Sequence, residues 1–195
     1  SVYININTLS TLPDRQFSTG MAELIKYGFI WDKEFLVWLE NNIERLMKKE
    51  KDALAYAIQR CCTIKAEIVG QDEKEKGLRA ILNFGHTVGH GLESITGYSQ
   101  FTHGEAVALG MIYESLIALH MGLVDQSLVN LLIDLLKAAK LPTKIAGIDV
   151  ESLIQAMSLD KKNKSGSIVF ILPTDYGKVD IFNDVDQKLI YKVFK

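Results

Sequence analysis

The sequence predicts a mainly α fold: a multi-helix bundle with a small β-hairpin near the C-terminus and a short leading strand. Three observations carry that prediction. Apolar residues recur three and four apart through most of residues 13–160, the spacing that lines one face of an α-helix. Two apolar runs, 168–173 and 179–182, flank Thr174-Asp-Tyr-Gly, the pattern of a hairpin. Residues 2–7 alternate apolar and polar side chains, as a half-buried strand does, with no adjacent run to pair with.

The elements follow in order. Thr11-Leu-Pro-Asp-Arg reads as a turn with a helix starting at Pro13, where a fixed φ suits the first helical turn. That helix runs to about residue 30 and contains Gly20-Met-Ala-Glu-Leu-Ile-Lys-Tyr-Gly. A second, from about Asp32 to 49, lines up Phe35, Leu36, Leu39, Ile43 and Leu46. A third, 51–71, carries Ala53, Ala57, Ile58, Cys61, Ile64 and Ile68, with the cation Lys65 close to the stripe. Asp72-Glu-Lys-Glu-Lys is a charged, solvated connection. A helix over 78–95 comes next, broken by Thr96-Gly-Tyr-Ser. Residues 103–120 are helical and strongly apolar, which marks a central core helix. Helices over 127–140, 149–160 and 185–194 complete the set. The expected division is 1–12 as strand and linker and 13–195 as the helical body.

Composition limits the function classes. The 195 residues carry a formal charge of −2, with 48% hydrophobic and 24% charged residues, an ordinary globular profile. A balance so near neutral disfavours nucleic acid and anionic membranes as partners. No apolar run approaches the ~20 residues of a membrane span, and the first residues lack the basic leader of a signal peptide. Cys61 and Cys62, the two cysteines, are adjacent; they are expected to be reduced core residues of a cytoplasmic protein. No G-x-G-x-x-G phosphate loop occurs.

Chemistry concentrates in residues 76–93. His86 and His90 are four apart, on one face of a helix, and Arg79 and Asn83 fall near that face. Gly85, Gly89 and Gly91 surround the histidines. Each glycine costs a helix roughly 1 kcal/mol relative to alanine, so three together imply that backbone, metal or substrate approaches closely. A catalytic zinc site takes three protein ligands and keeps an open position. His86 and His103 can supply nitrogen, and a carboxylate can come from Glu23, Glu93 or Glu105; spacing leaves that choice open. The plain alternative is a hydrogen-bonded histidine pair packed against glycines. The H-x-x-x-H spacing lacks the glutamate that metalloprotease helices carry after the first histidine. Lys26, Lys65, Arg79 and Lys161 each read individually as surface cations, but grouped near a metal they suit a phosphorylated, carboxylated substrate.

Several of these stretches form a set: Leu12-Pro-Asp-Arg, Gly20-Met-Ala-Glu-Leu-Ile-Lys-Tyr-Gly, Lys65, Asp72-Glu, Gly77-Leu-Arg, Leu82-Asn-Phe-Gly-His-Thr-Val-Gly-His, His103-Gly-Glu-Ala-Val-Ala-Leu-Gly-Met and Asp160-Lys-Lys. In this order they resemble 3-dehydroquinate synthase, and the resemblance extends from about residue 2 to the C-terminus. It implies the C-terminal, helical metal- and substrate-binding domain of a metal- and NAD-dependent lyase of the shikimate pathway, which makes aromatic amino acid precursors. The family converts 3-deoxy-D-arabino-heptulosonate 7-phosphate to 3-dehydroquinate and phosphate. By resemblance the metal ligands, for Zn2+ or Co2+, fall on Glu23, His86 and His103. The catalytic and substrate-binding residues fall on Lys26, Lys65, Arg79, Asn83, His90 and Lys161, with Lys162 the lesser choice at the last position. The family forms homodimers. Its N-terminal NAD-binding domain is expected to be missing here, with 2–7 as its last segment, so the chain alone is expected to be inactive. Gly91 stands where alanine is usual. Two alternatives remain: another sugar-phosphate cyclase, of the 2-deoxy-scyllo-inosose or valiolone synthase type, and a non-catalytic helical interaction domain.

Overall fold

The computed structural model describes residues 3–73, 77–159 and 168–195. Residues 3–5 are extended, and a 3-10 turn, Ile6–Thr11, follows. The leading strand is therefore not formed. Asn5 accepts the Asn7 amide, and the Thr8 and Ser10 hydroxyls donate to the carbonyls of Asn5 and Asn7. Local side-chain bonds of this kind compete with strand pairing, and no partner strand lies beside the segment among the described residues.

The first helix, α1 (Asp14–Ile30), starts after Pro13 as expected. Helices α2 (Lys33–Met47) and α3 (Lys51–Gln71) follow it. Asp32 caps α2 by accepting the Phe35 amide at 2.9 Å and also pairs with Arg60 of α3. The buried faces of α2 and α3 match the sequence stripes: Phe35, Leu36, Leu39, Ile43 and Leu46 on one, Ala53, Ala57, Ile64 and Ile68 on the other. Cys61 is only half-buried and Cys62 is exposed, both free, so the reading of them as core residues is corrected. They lie toward the edge of the α3 stripe.

The single helix expected over 78–95 is two elements. A 3-10 turn, Leu78–Asn83, is followed by α4 (His86–Ile95). The break falls at the extended, fully buried Phe84 and at Gly85, whose φ of +80° is left-handed. Glycine adopts that conformation without Cβ strain. Arg79 and Asn83 are thus on a different element from His86.

Helix α5 (His103–His120) is bounded as its apolar run predicts. It is followed by α6 (Gln126–Ala138), α7 (Val150–Leu159), strands β1 (Phe170–Asp175) and β2 (Lys178–Phe182), and α8 (Gln187–Phe194). The strands pair antiparallel as the hairpin expected. Two apolar cores form. One gathers α1, α2, α3 and α6; the other gathers α4, α7 and α8. Helix α5 serves both, giving Val107, Ala108, Met111 and Ile112 to the first and Ala106, Leu109, Ile117 and Ala118 to the second. Strand β1 does likewise. Its side chains alternate in direction, sending Ile171 to the first core and Phe170 and Leu172 to the second. The mainly α bundle with one hairpin is the fold the sequence predicts.

Candidate metal centre

Helices α1 and α4 reach α5 where α5 has glycine. A Cβ on Gly104 would lie 2.1 Å from the Thr19 carbonyl oxygen, and one on Gly110 would lie 1.9 Å from the Gly85 carbonyl oxygen. Main chains can approach this closely only because no side chain intervenes. The glycines of α4 have the same meaning: Gly89 faces the backbone of Ala106, and Gly91 faces Leu153 and Met157 of α7. What approaches is α5 backbone and α7 side chains.

Polar links fix the N-terminus of α5 against α1. Thr102 and Glu105 form a capping box, which satisfies amides otherwise orphaned at a helix start. Arg15 of α1 holds both Glu105 oxygens, at 2.8 and 2.7 Å, and donates to the Gln100 carbonyl. The Thr19 and Thr102 hydroxyls are 2.7 Å apart.

These contacts bring Glu23 (α1), His86 (α4) and His103 (α5) together, with one ligand atom of each within 4.8 Å of the others. Glu23 Oε1 lies 3.7 Å from His86 Nε2 and 3.8 Å from His103 Nε2. It is buried and accepts no hydrogen bond, whereas Oε2 accepts from Lys26 Nζ at 2.7 Å. A buried acceptor without a donor costs about 1–3 kcal/mol, and a cation held between Oε1 and the two nitrogens would remove that cost. The other ring nitrogens are occupied. His86 Nδ1 lies 3.2 Å from the Phe84 carbonyl, and His103 Nδ1 lies 3.1 Å from Glu93 Oε1. A carbonyl or carboxylate can only accept, so each Nδ1 donates; in the neutral ring this leaves the Nε2 lone pair toward Glu23, the orientation metal-bound imidazoles are commonly given. Two nitrogens and one carboxylate oxygen with positions to spare suit Zn2+ or Co2+. Donors each about 2.1 Å from a shared ion can be separated by such distances.

Electrostatics favour the same protonation states. Burial, then the Lys26 charge, lowers the His86 imidazolium to about 4, so the ring is neutral at pH 7. Burial works to raise the Glu23 carboxyl, but Lys26, by its charge and its hydrogen bond, brings it below its ordinary value. Burial lowers the Lys26 ammonium, with Glu23 opposing. Of the carboxylates that spacing left open, Glu105 is engaged by Arg15 and Thr102 and Glu93 by His103.

The remaining predicted residues fall around this cluster unevenly. His90 joins it, its ring centroid 5.4 Å from that of His86 and 6.3 Å from that of His103. Lys26 is buried beside Glu23. Lys65 is exposed on α3, near enough for its charge to act on Lys26. Arg79 and Asn83 are half-buried on the 3-10 turn leading into α4, and the Arg79 amide donates to Asp72. Lys161 and Lys162 lie outside the described residues. A cleft of 790 Å3 is lined by His90 together with Glu93, Ser94, Tyr98, Ser152 and Gln155, but by none of the three converging donors.

Sequence reasoning missed Arg15, Thr19 and Glu114 as supporting residues. The spacing Thr102-x-x-Glu105 was the available signal for the cap, and a lone glutamate within an apolar helix was the signal for Glu114.

The model for the C-terminal domain of 3-dehydroquinate synthases matches residues 20–163. The chain belongs to that family. Among curated relatives, 3-dehydroquinate synthase of Caldanaerobacter subterraneus is 45% identical over the whole chain and 54% of its own length. That of a Shewanella species is 47% identical over 98% of the chain and 54% of its own length. The chain therefore spans about half the length of the curated relatives it matches. Among solved structures, a 2-epi-5-epi-valiolone synthase of Streptomyces hygroscopicus with NAD+ and Zn2+ bound superposes with a TM-score of 0.88. It is 26% identical, over 97% of this chain and 53% of the other. A 2-deoxy-scyllo-inosose synthase complexed with carbaglucose-6-phosphate, NAD+ and Co2+ gives 0.79 at 29% identity, over 97% and 54%. The family's helical C-terminal fold is thus established on both sequence and structure.

Proposed function

We propose that this chain is the metal- and substrate-binding part of a 3-dehydroquinate synthase, acting on 3-deoxy-D-arabino-heptulosonate 7-phosphate to release phosphate and close the carbocycle. One observation carries the reading: the unpartnered Glu23 Oε1 facing two imidazole nitrogens whose other ring positions are already tied. Identities of 43–47% to curated synthases support the substrate.

Glu23, His86 and His103 hold the metal in this proposal. When bound, it supplies Lewis acidity toward a substrate hydroxyl. Lys26 keeps Glu23 ionised and directs Oε2 away from the cluster, leaving Oε1 as the donor. His90, beside both imidazoles, takes and returns the proton of that hydroxyl. Lys65 and Arg79 bind the anionic ends of the substrate, and Asn83 a neutral oxygen; Lys161 is assigned with the cations from its motif. NAD+ enters as the cofactor of the cyclases of like fold, and no residue of this chain is assigned to it. Homodimerisation and a cytoplasmic setting belong to the same proposal; no described helix is long and apolar enough to cross a membrane.

The test is a calorimetric Zn2+ titration of the chain and of His103→Ala. The expected result is one ion per chain, with affinity falling at least 100-fold in the variant. Equal binding by both proteins would remove the ligand assignment. A second reading is favoured by the high structural similarity to a valiolone synthase: another sugar-phosphate cyclase, with a substrate that lacks a carboxylate. Parallel titrations with the heptulosonate phosphate and with carbaglucose-6-phosphate separate the two, since only the second reading expects the carboxylate-free sugar to bind more tightly.

A further inference from the structure

The N-terminus of α4 has no cap of its own. Its capping residue is Gly85, which lacks a side chain, yet the first amides of a helix need acceptors. They find one in another helix. Glu114 of α5 is fully buried. Its Oε2 accepts the Gly85 amide at 2.7 Å, and its Oε1 accepts the Val88 amide at 3.4 Å. His86 sits between those two bonded residues.

The same face of α5 forms a slot for this turn. Val107, Gly110, Met111 and Glu114 are spaced three, four and seven apart, one helical stripe. Gly85 packs into it, with its missing Cβ 2.7 Å from the Val107 carbonyl oxygen and 2.6 Å from Met111 Cγ. Its own carbonyl oxygen lies over Gly110. The slot lies one turn and more along from His103, on the same rigid helix.

We propose that Glu114 is a positioning residue of the metal centre: by capping α4 from within α5 it holds the His86 ring at the distance from His103 that a shared ion requires. The inference rests on the metal reading above, and it assigns a role to a side chain that touches neither ion nor substrate. A carboxyl side chain suits the task because its two oxygens each face one amide, Oε2 that of Gly85 and Oε1 that of Val88.

The experiment compares Zn2+ affinity, by chelator competition, and the visible spectrum of the Co2+ form across the unaltered chain and three variants. Glu114→Met keeps volume and removes the acceptors; affinity is expected to fall tenfold or more and the Co2+ bands to shift, in protein whose circular dichroism is unchanged. Glu114→Gln keeps one acceptor for Gly85 and is expected to stay within threefold of the unaltered chain. Glu114→Asp, one methylene shorter, covers the case in which the methionine variant does not fold, and is expected to lose affinity by at least threefold with a shifted spectrum. A purely structural role lowers the melting temperature while leaving the folded protein's affinity and spectrum alone, and that result in Met or Asp overturns the inference. If the variants equal an unaltered chain that binds zinc, only the role of Glu114 fails. If the unaltered chain binds no zinc, the metal reading fails and takes the inference with it.

Discussion

Helix α3 and the stretch 78–95 were both read as single helices in the sequence, and they are built differently. In α3 the apolar stripe meets the first core, the opposite face is exposed, and the observed ends coincide with the periodicity. Its glycine, Gly70, lies near the C-terminal end, and a Cβ there would meet nothing within 4 Å. In 78–95 the chain breaks at a left-handed glycine, and α4 starts with amides capped by Glu114 of another helix. Its remaining glycines admit neighbouring elements at close range. A helix that offers one face to a core needs only local pattern. A helix seated in a slot takes its boundaries from the slot. The proposed metal-binding histidines depend on the second kind.

The sharpest way to break the slot is Gly110→Ala. The added Cβ would fall 1.9 Å from the Gly85 carbonyl oxygen and 2.7 Å from its carbonyl carbon. Both are backbone, so no side-chain rotation relieves the clash. Destabilisation of about 3 kcal/mol or more is expected, read from the urea midpoint. A variant within 1 kcal/mol of the parent (roughly the middle of the range for point substitutions) would show that α4 shifts freely on α5, and the slot would then not be what fixes its position.

This contrast also explains what was legible. The α1, α2, α3 and α5 stripes, the Pro13 start and the hairpin follow from spacing and turn chemistry, and each appears where the pattern puts it. The break at Gly85 was not legible. Three glycines announced close approach, but sequence does not say whether backbone, ion or substrate approaches. The leading strand failed because alternation in 2–7 says nothing about a partner, while Asn5, Thr8 and Ser10 hold a 3-10 turn locally. At the site, spacing paired His86 with His90, and the set Glu23, His86 and His103 came from the family resemblance. Spacing could not choose among Glu23, Glu93 and Glu105, because only the three-dimensional arrangement shows Glu23 Oε1 facing both Nε2 atoms while Arg15 holds Glu105 and His103 Nδ1 meets Glu93.

A gentler probe of the slot is pH. Burial raises the Glu114 carboxyl to about 8, against the pull of the Gly85, Val88 and Thr87 amides and of Lys26. The folded value lies above the unfolded one, near 4.5, so the fold favours the protonated acid. Its contribution to stability is complete below about pH 4.5, declines as pH rises toward 8, and is constant beyond. The slope is at most about 1.4 kcal/mol per pH unit. Glu114→Gln cannot titrate. Unfolding free energies of the parent minus those of Glu114→Gln should therefore fall between pH 5 and 8. A difference that stays flat means that the paired amides hold Glu114 ionised throughout.

The smallest expected effect sharpens the comparison from the other side. Gly20 lies within α1, exposed, three residues before Glu23, and a Cβ there would meet nothing within 4 Å. Gly20→Ala should therefore stabilise the chain by roughly 0.5–1 kcal/mol, the entropic cost of glycine in a helix, and leave Zn2+ affinity unchanged. The measurement is a pair of denaturant curves with a zinc titration of each protein. A gain places Gly20 with Gly70 of α3, where local propensity decides, and opposite Gly110, where a neighbouring backbone does. A loss of stability or of zinc affinity would mean that something outside the described contacts requires a bare backbone at Gly20, and the division between pattern-built and slot-built helices would then run through α1 as well.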